Sequence, residues 1–268
     1  YRGDVLDYMW NVLGKQYDEY SNRLIGSFTN TWQVTSDLSL RARFSADITN
    51  TRIEDKQPNE VPLSIGNSGY YSLQNQTGNI YYTDLLATYS KQVTSDIKLG
   101  AMLGYTATRN QGINLSSGTD GGLSVRNWYD IAASVNQART SNSKIFSLRD
   151  ALFGAVNFNF KDYWFVEGTL RRESISQMHP DNNILYYPSV NSSFILSEAF
   201  DLSSIFNYAK LRGAWGIVSN YPGTYQSALS YSQNTLGNQG TGTAVLYTNI
   251  PTGSFGNEGI KPETKHEI

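Results

Sequence analysis

From Leu38 to Ile48 the chain alternates without exception. Leu38, Leu40, Ala42, Phe44, Ala46 and Ile48 are apolar, and Ser39, Arg41, Arg43, Ser45 and Asp47 between them are polar or charged. A period of two sends successive side chains to opposite faces of a β-strand, so this stretch predicts a strand with one oily face and one charged face. It is longer than the usual strand of a soluble sheet and matches the roughly 9 to 11 tilted residues that cross a bilayer. The expectation is a wall strand of a membrane β-barrel.

The pattern recurs along the chain. Asn22 to Val34 places Leu24, Gly26, Phe28, Trp32 and Val34 on one face and Arg23, Ser27, Thr29, Thr31 and Gln33 mainly on the other, then turns at Thr35, Ser36 and Asp37. The pentapeptide Gln33-Val34-Thr35-Ser36-Asp37 returns as Gln92-Val93-Thr94-Ser95-Asp96, joining a strand over 79–91 to one over 97–108. Ser, Thr and Asp side chains bond the local backbone and favour tight turns, so two hairpins share one turn grammar. A third hairpin is predicted over 147–160 and 163–174 with its hinge at Lys161-Asp162, a fourth over 186–197 and 210–218, and a ninth strand near Lys261. The only helical spacing is Leu6, Met9, Trp10 and Leu13, with Asp4 as N-cap, read as one short loop helix.

Connection lengths point the same way. The links after the first, third, fifth and seventh strands are short. Those near 52–78, 109–144, 175–185 and 219–258 are mostly long and rich in Gly, Asn, Ser and Thr. Short turns on one rim and long loops on the other are the asymmetry of outer-membrane barrels. Trp32, Trp164 and Trp215, near strand ends on apolar faces, fit interfacial girdles.

Composition narrows the function classes. The 19 Tyr, 11 Phe and 5 Trp suit strands, and the 21 basic and 23 acidic residues form no basic stripe, so no nucleic-acid role is indicated. Absent cysteine removes disulfides, thiolate metal sites and thiol catalysis. No stretch reaches the roughly 18 consecutive apolar residues of a helical span. His179 and His266 have no ligand partner at i+3 or i+4, and no catalytic, phosphate-binding or calcium motif occurs, so neither an enzyme activity nor a cofactor is expected.

Several segments together resemble a known family. Leu152-Phe153-Gly154-Ala155-Val156-Asn157-Phe158-Asn159-Phe160-Lys161-Asp162-Tyr163, then Thr169-Leu170-Arg171-Arg172-Glu173 and Tyr187-Pro188-Ser189-Val190, resemble the barrel region of the SusC/RagA-like TonB-dependent transporters of Bacteroidota. So do Asn22-Arg23-Leu24-Ile25-Gly26, Lys210-Leu211-Arg212-Gly213-Ala214-Trp215-Gly216 and Ile260-Lys261-Pro262-Glu263-Thr264, in the family's order. One departure is Gln177-Met178-His179-Pro180, where such proteins often carry an Arg-Phe-Gly-Pro type segment; it falls in an outer loop and bears on substrate more than on fold.

The resemblance implies an all-β, antiparallel transmembrane β-barrel of about 22 strands closed around a plug. Residues 1–268 would be an internal segment of its wall, with the plug domain and TonB box elsewhere in the polypeptide. It further implies the outer membrane as location, import of an oligosaccharide or oligopeptide, and three partners: a SusD-like surface lipoprotein acting as a lid, TonB, and outer-membrane lipid. Arg41, Arg43, Asp47, Glu167 and Arg171 are candidate lumen-facing charges. Tyr70, Tyr71, Trp128 and Tyr129 are candidate ligand contacts in outer loops, since aromatic rings offer flat faces and polar edges. Two other readings stay open at this point: a soluble, carbohydrate-binding β-sandwich, which requires a common dry core, and a passive porin or adhesin barrel.

Overall fold

The computed structural model describes residues 5, 8–9, 12–60, 67–200, 207–223, 257 and 259–268, and the backbone of 232–237 and 244–249. The strands are β1 (Gln16–Gln33), β2 (Leu38–Gln57), β3 (Tyr70–Gln92), β4 (Ile97–Gly118), β5 (Arg139–Phe160), β6 (Trp164–Ile175), β7 (Ile184–Ile195), β8 (Lys210–Asn220), β9 (Ser232–Gly237), β10 (Ala244–Asn249) and β11 (Glu263–Glu267). Nine of them form one sheet in the order β1-β2-β3-β4-β5-β6-β7-β8-β11. The pairs β5–β6, β6–β7, β7–β8 and β8–β11 are antiparallel. A soluble sandwich would stack two such sheets over a dry core. Here there is one large sheet, and beside it only the small β9–β10 pair among the described residues.

The turns form as their sequences require. In both copies of the pentapeptide the Thr hydroxyl accepts from the Asp backbone N–H, at 3.2 Å for Thr35–Asp37 and 3.3 Å for Thr94–Asp96. In both, the leading Gln amide donates to the Thr carbonyl, at 2.7 and 2.9 Å. Lys161 and Asp162 have φ of 49° and 56°, two positive angles at the centre of a tight turn that the Tyr163 N–H closes by donating to the Phe160 carbonyl at 3.2 Å. Asn159 holds that turn, with its Nδ2 donating to Asp162 Oδ1 at 2.6 Å and its Oδ1 accepting from the Asp162 N–H at 3.1 Å.

Strand length differs from the sequence expectation. β2, β3, β4 and β5 have 20, 23, 22 and 22 residues and run well into the stretches read as long loops, so the links shrink to 58–69 and 119–138. Alternation reports a contrast between two faces. The backbone ladder continues after that contrast ends, because each N–H and C=O still needs a partner. The stretch 219–258 likewise contains the β9–β10 hairpin, whose six-residue strands are too short to carry a periodic signal. Between β7 and β8, Leu196–Ala199 form a single helical turn. Near the start, Val5, Tyr8, Met9, Val12 and Leu13 are helical, while Asp4, Leu6 and Trp10 of the predicted helix lie outside the described residues.

The chain forms two compact units, 1–27 with 45–81 and 109–146, and 28–44 with 82–108 and 147–268. The first has a small core of Tyr71, Leu123 and Ala133, with Leu73, Tyr129 and Ile131 packed against it. The second buries Ala151, Ala155, Ile175, Met178 and Leu185, yet leaves Phe28, Leu103, Val156 and Leu170 more than half exposed. In water that distribution costs free energy, at roughly 25 cal/mol for each Å² of apolar surface. A face of this kind needs a non-aqueous neighbour.

Candidate functional site

In the second unit the charged face is built around two carboxylates. Arg41 and Arg43 stand two apart on β2 and therefore share a face; both reach Asp84 on β3, at 3.2 Å and 2.5 Å. Asp84 is 3% exposed. Arg43 also donates to the Tyr82 hydroxyl at 3.5 Å, with its guanidinium 5.2 Å from the Tyr82 ring centre. The second carboxylate, Glu173, is 5% exposed and takes Arg149 at 3.3 Å and Arg171 at 3.1 Å. Arg149 donates onward to the Tyr221 hydroxyl at 2.8 Å. Each group holds two cations for one anion. A charge this far from water is tolerated only when it is paired and hydrogen-bonded.

An aromatic spacer stands beside the second group. Arg171 lies 5.8 Å from the centre of the Phe153 ring. That ring covers Gly104, where an added Cβ would sit 2.3 Å from Phe153 Cζ, so only glycine admits the packing. Towards the tight turns the same face opens into a pocket of about 520 Å³ whose lining includes Lys98, Asn157, Asn159, Glu167 and Asn191. Glu167 is held across the sheet by Asn191 Nδ2 at 3.0 Å, its register partner.

In the first unit, Asp47 accepts from Arg23 at 2.8 and 2.5 Å. Past Ile48 the other face of β2 turns from apolar to charged: Arg52 pairs with Glu54, and Lys56 bridges Glu54 at 3.0 Å and Asp18 at 2.9 Å. The hydrogen bond that Lys56 donates to Asp18, and then the one it donates to Glu54, raises the Lys56 pKa, and accepting from Lys56 lowers that of Glu54.

The four loop aromatics fare differently. Tyr71 is in the small core, and burial raises its hydroxyl pKa, as it does for Tyr129 packed beside it. Tyr70 is on the opposite face of β3 from Tyr71, and its hydroxyl closes over Gly118, where a Cβ would lie 2.7 Å away. There it borders a polar pocket of about 540 Å³ that includes Gln74, Ser116 and the Asp120–Arg139 ion pair. Trp128 is 48% exposed on a loop pinned by Asn59: each of Asn59 and Asn127 accepts on its side chain from the other's backbone N–H, at 2.8 and 3.0 Å.

Sequence reasoning did not single out Asp84, Glu173, Arg149 or the Phe153–Gly104 contact. Asp84 interrupts the mostly aromatic and aliphatic stretch from Ile80 to Tyr89, and Glu173 closes a run of two arginines. A carboxylate inside a barrel-type strand is itself the signal. Its partners lie on other strands, beyond the reach of local pattern. Among the described residues no cluster of His, Asp and Glu could hold a metal ion.

Comparison with known proteins shows the fold. The chain matches the structure of the RagAB peptide transporter with a TM-score of 0.84 at 16% identity, covering 95% of this chain and 28% of that one. It matches the RagAB peptide importer in its 'closed-closed' state with a TM-score of 0.83 at 16% identity, and in its 'open-open' state with 0.78 at 17%, with the same coverage. No family profile matches the chain, and no curated protein does. The fold is that of an outer-membrane β-barrel wall, as the resemblance implied, and the chain spans a little over a quarter of those transporter chains. Among the described residues no helix is long and apolar enough to cross a membrane, which says nothing about strands.

Proposed function

We propose that this chain is part of the barrel wall of a TonB-dependent outer-membrane importer of an oligomeric nutrient, an oligopeptide or a glycan. One observation carries the reading: a continuous nine-stranded sheet that exposes large apolar side chains on one face and pairs ions on the other, in the fold of a peptide transporter's barrel. The apolar face meets lipid, and the charged face lines the lumen, where Arg41, Arg43, Asp47, Glu167 and Arg171 face a plug or passing substrate. Of the loop aromatics, Trp128 and Tyr70 are the ones open enough to meet a ligand. Tyr71 and Tyr129 hold the loop's shape.

The whole protein closes a barrel of about 22 strands, is lidded by a SusD-like lipoprotein, and draws on TonB to displace the plug. The wall supplies shape and fixed charge, not covalent chemistry. The test is the intact mass and solubility of the native polypeptide, followed by uptake of labelled oligopeptide or glycan by cells with and without a protonophore. A detergent-dependent protein several-fold above 29.9 kDa whose uptake stops with the protonophore supports the reading. A water-soluble protein near that mass overturns it.

A further inference from the structure

Resting on the transporter reading, we infer that the apolar face carries a specific site for a phosphorylated lipid of the surrounding membrane, with the acyl chains in a glycine-notched groove and the phosphate on Arg172. The groove holds about 820 Å³ and runs from Leu38 at the start of β2 across β3 to β7, lined almost wholly by apolar side chains. Its depth comes from two glycines set among larger neighbours. Gly168 on β6 stands in register between Val156 on β5 and Val190 on β7, and an added Cβ there would meet nothing within 4 Å. Gly154 on β5 stands opposite Leu170. Each glycine opens a notch that the flanking aliphatic side chains wall in, the width of a hydrocarbon chain rather than of a flat lipid contact.

The headgroup end is marked by charge. Arg172 lines the groove two residues beyond Leu170, in register between Leu152 and Tyr186. It makes no ion pair or hydrogen bond among the described residues, in contrast to Arg41, Arg43, Arg149 and Arg171 on the other face. Asp150, on the same face, lies in register with Ser174 and does not pair with it. Eight residues separate Arg172 from Trp164 at the turn end of β6, roughly 26 Å along the strand. With Trp164 in one interfacial girdle, the tilt of the strand sets Arg172 near the opposite headgroup layer. An unpaired guanidinium facing lipid there is satisfied by a phosphate, which it can grip with two parallel N–H donors.

The full-length protein, stripped of lipid in dodecylmaltoside, is titrated with dioleoylphosphatidylglycerol and with dioleoylglycerol and read by native mass spectrometry. The expected result is retention of the phospholipid over the neutral lipid, weakened about tenfold by Arg172→Gln. Gly168→Leu, which fills open space and leaves folding intact by heat-modifiability on a gel, weakens both lipids. Arg212→Gln, on the other face, changes neither. Equal binding of the two lipids, an Arg172→Gln variant that retains phospholipid like the wild type, or a dimer that seals the groove against both lipids overturns the inference while leaving the importer reading intact. A protein soluble without detergent overturns both.

Discussion

The two faces of β4 to β7 are made by alternate residues of the same strands, and they invert the usual rule. On one face Leu152, Val156, Leu170 and Val190 stand about half exposed. On the other, the carboxylate of Glu173 is almost fully covered and held by two arginines. A water-soluble sheet buries the first set and exposes the second. On the proposed importer reading, exposure here does not mean exposure to water: the apolar set is solvated by hydrocarbon, and the charged set is shielded by its neighbours on a polar wall.

The contrast breaks most sharply at the centre of the apolar face. Val156→Arg should destabilise the membrane-inserted barrel by about 2–4 kcal/mol, measured by urea unfolding in liposomes. Asn157→Arg, its neighbour in sequence on the other face, should leave the midpoint nearly unchanged. Equal effects at the two positions would erase the distinction between the faces.

Crowding the charged face comes next. Gly104→Ala places a methyl group into the Phe153 ring and should cost about 1–3 kcal/mol. Phe153→Leu in the same chain should restore most of the loss, and a double-mutant cycle reads the coupling. Glu173→Gln should cost about 1–2 kcal/mol, the lower part of the range for a broken charged hydrogen bond, because Arg149 and Arg171 are both more than a third exposed and water screens them. The same cycle run with Arg149→Met should recover part of it.

The smallest effect lies beyond the apolar band, where water meets the sheet. Lys56 lowers the Glu54 pKa. Its contribution is therefore present above the carboxylate's unfolded value and lost as pH falls through the lower, folded one. Hydrogen exchange at the Glu54 end of β2 should quicken on acidification in that window, and Glu54→Gln should remove the pH dependence.

Much of the fold was legible because it is written locally. Strict alternation from Leu38 to Ile48 names a strand and both its faces, the repeated Gln-Val-Thr-Ser-Asp names a turn whose hydrogen bonds recur in both copies, and Lys161-Asp162 names the third hinge. Strand ends were not legible, since the ladder outlasts the hydrophobic contrast, as at β2, which runs on to Gln57. Of the candidate charges, Arg41 and Arg43 could be placed on one face from their spacing alone. That they share Asp84 depends on the register of β2 against β3, and no single strand contains that information.

The sequence by itself determined the class of fold, the two-faced strands and the tight turns, because period, propensity and turn chemistry act over a few residues. Only the tertiary structure decided which carboxylates are buried, that Arg172 is left unpaired among the described residues, and that Tyr71 packs inward while Trp128 stays open. Those outcomes depend on which residues lie side by side across strands, and register is a property of the assembled sheet.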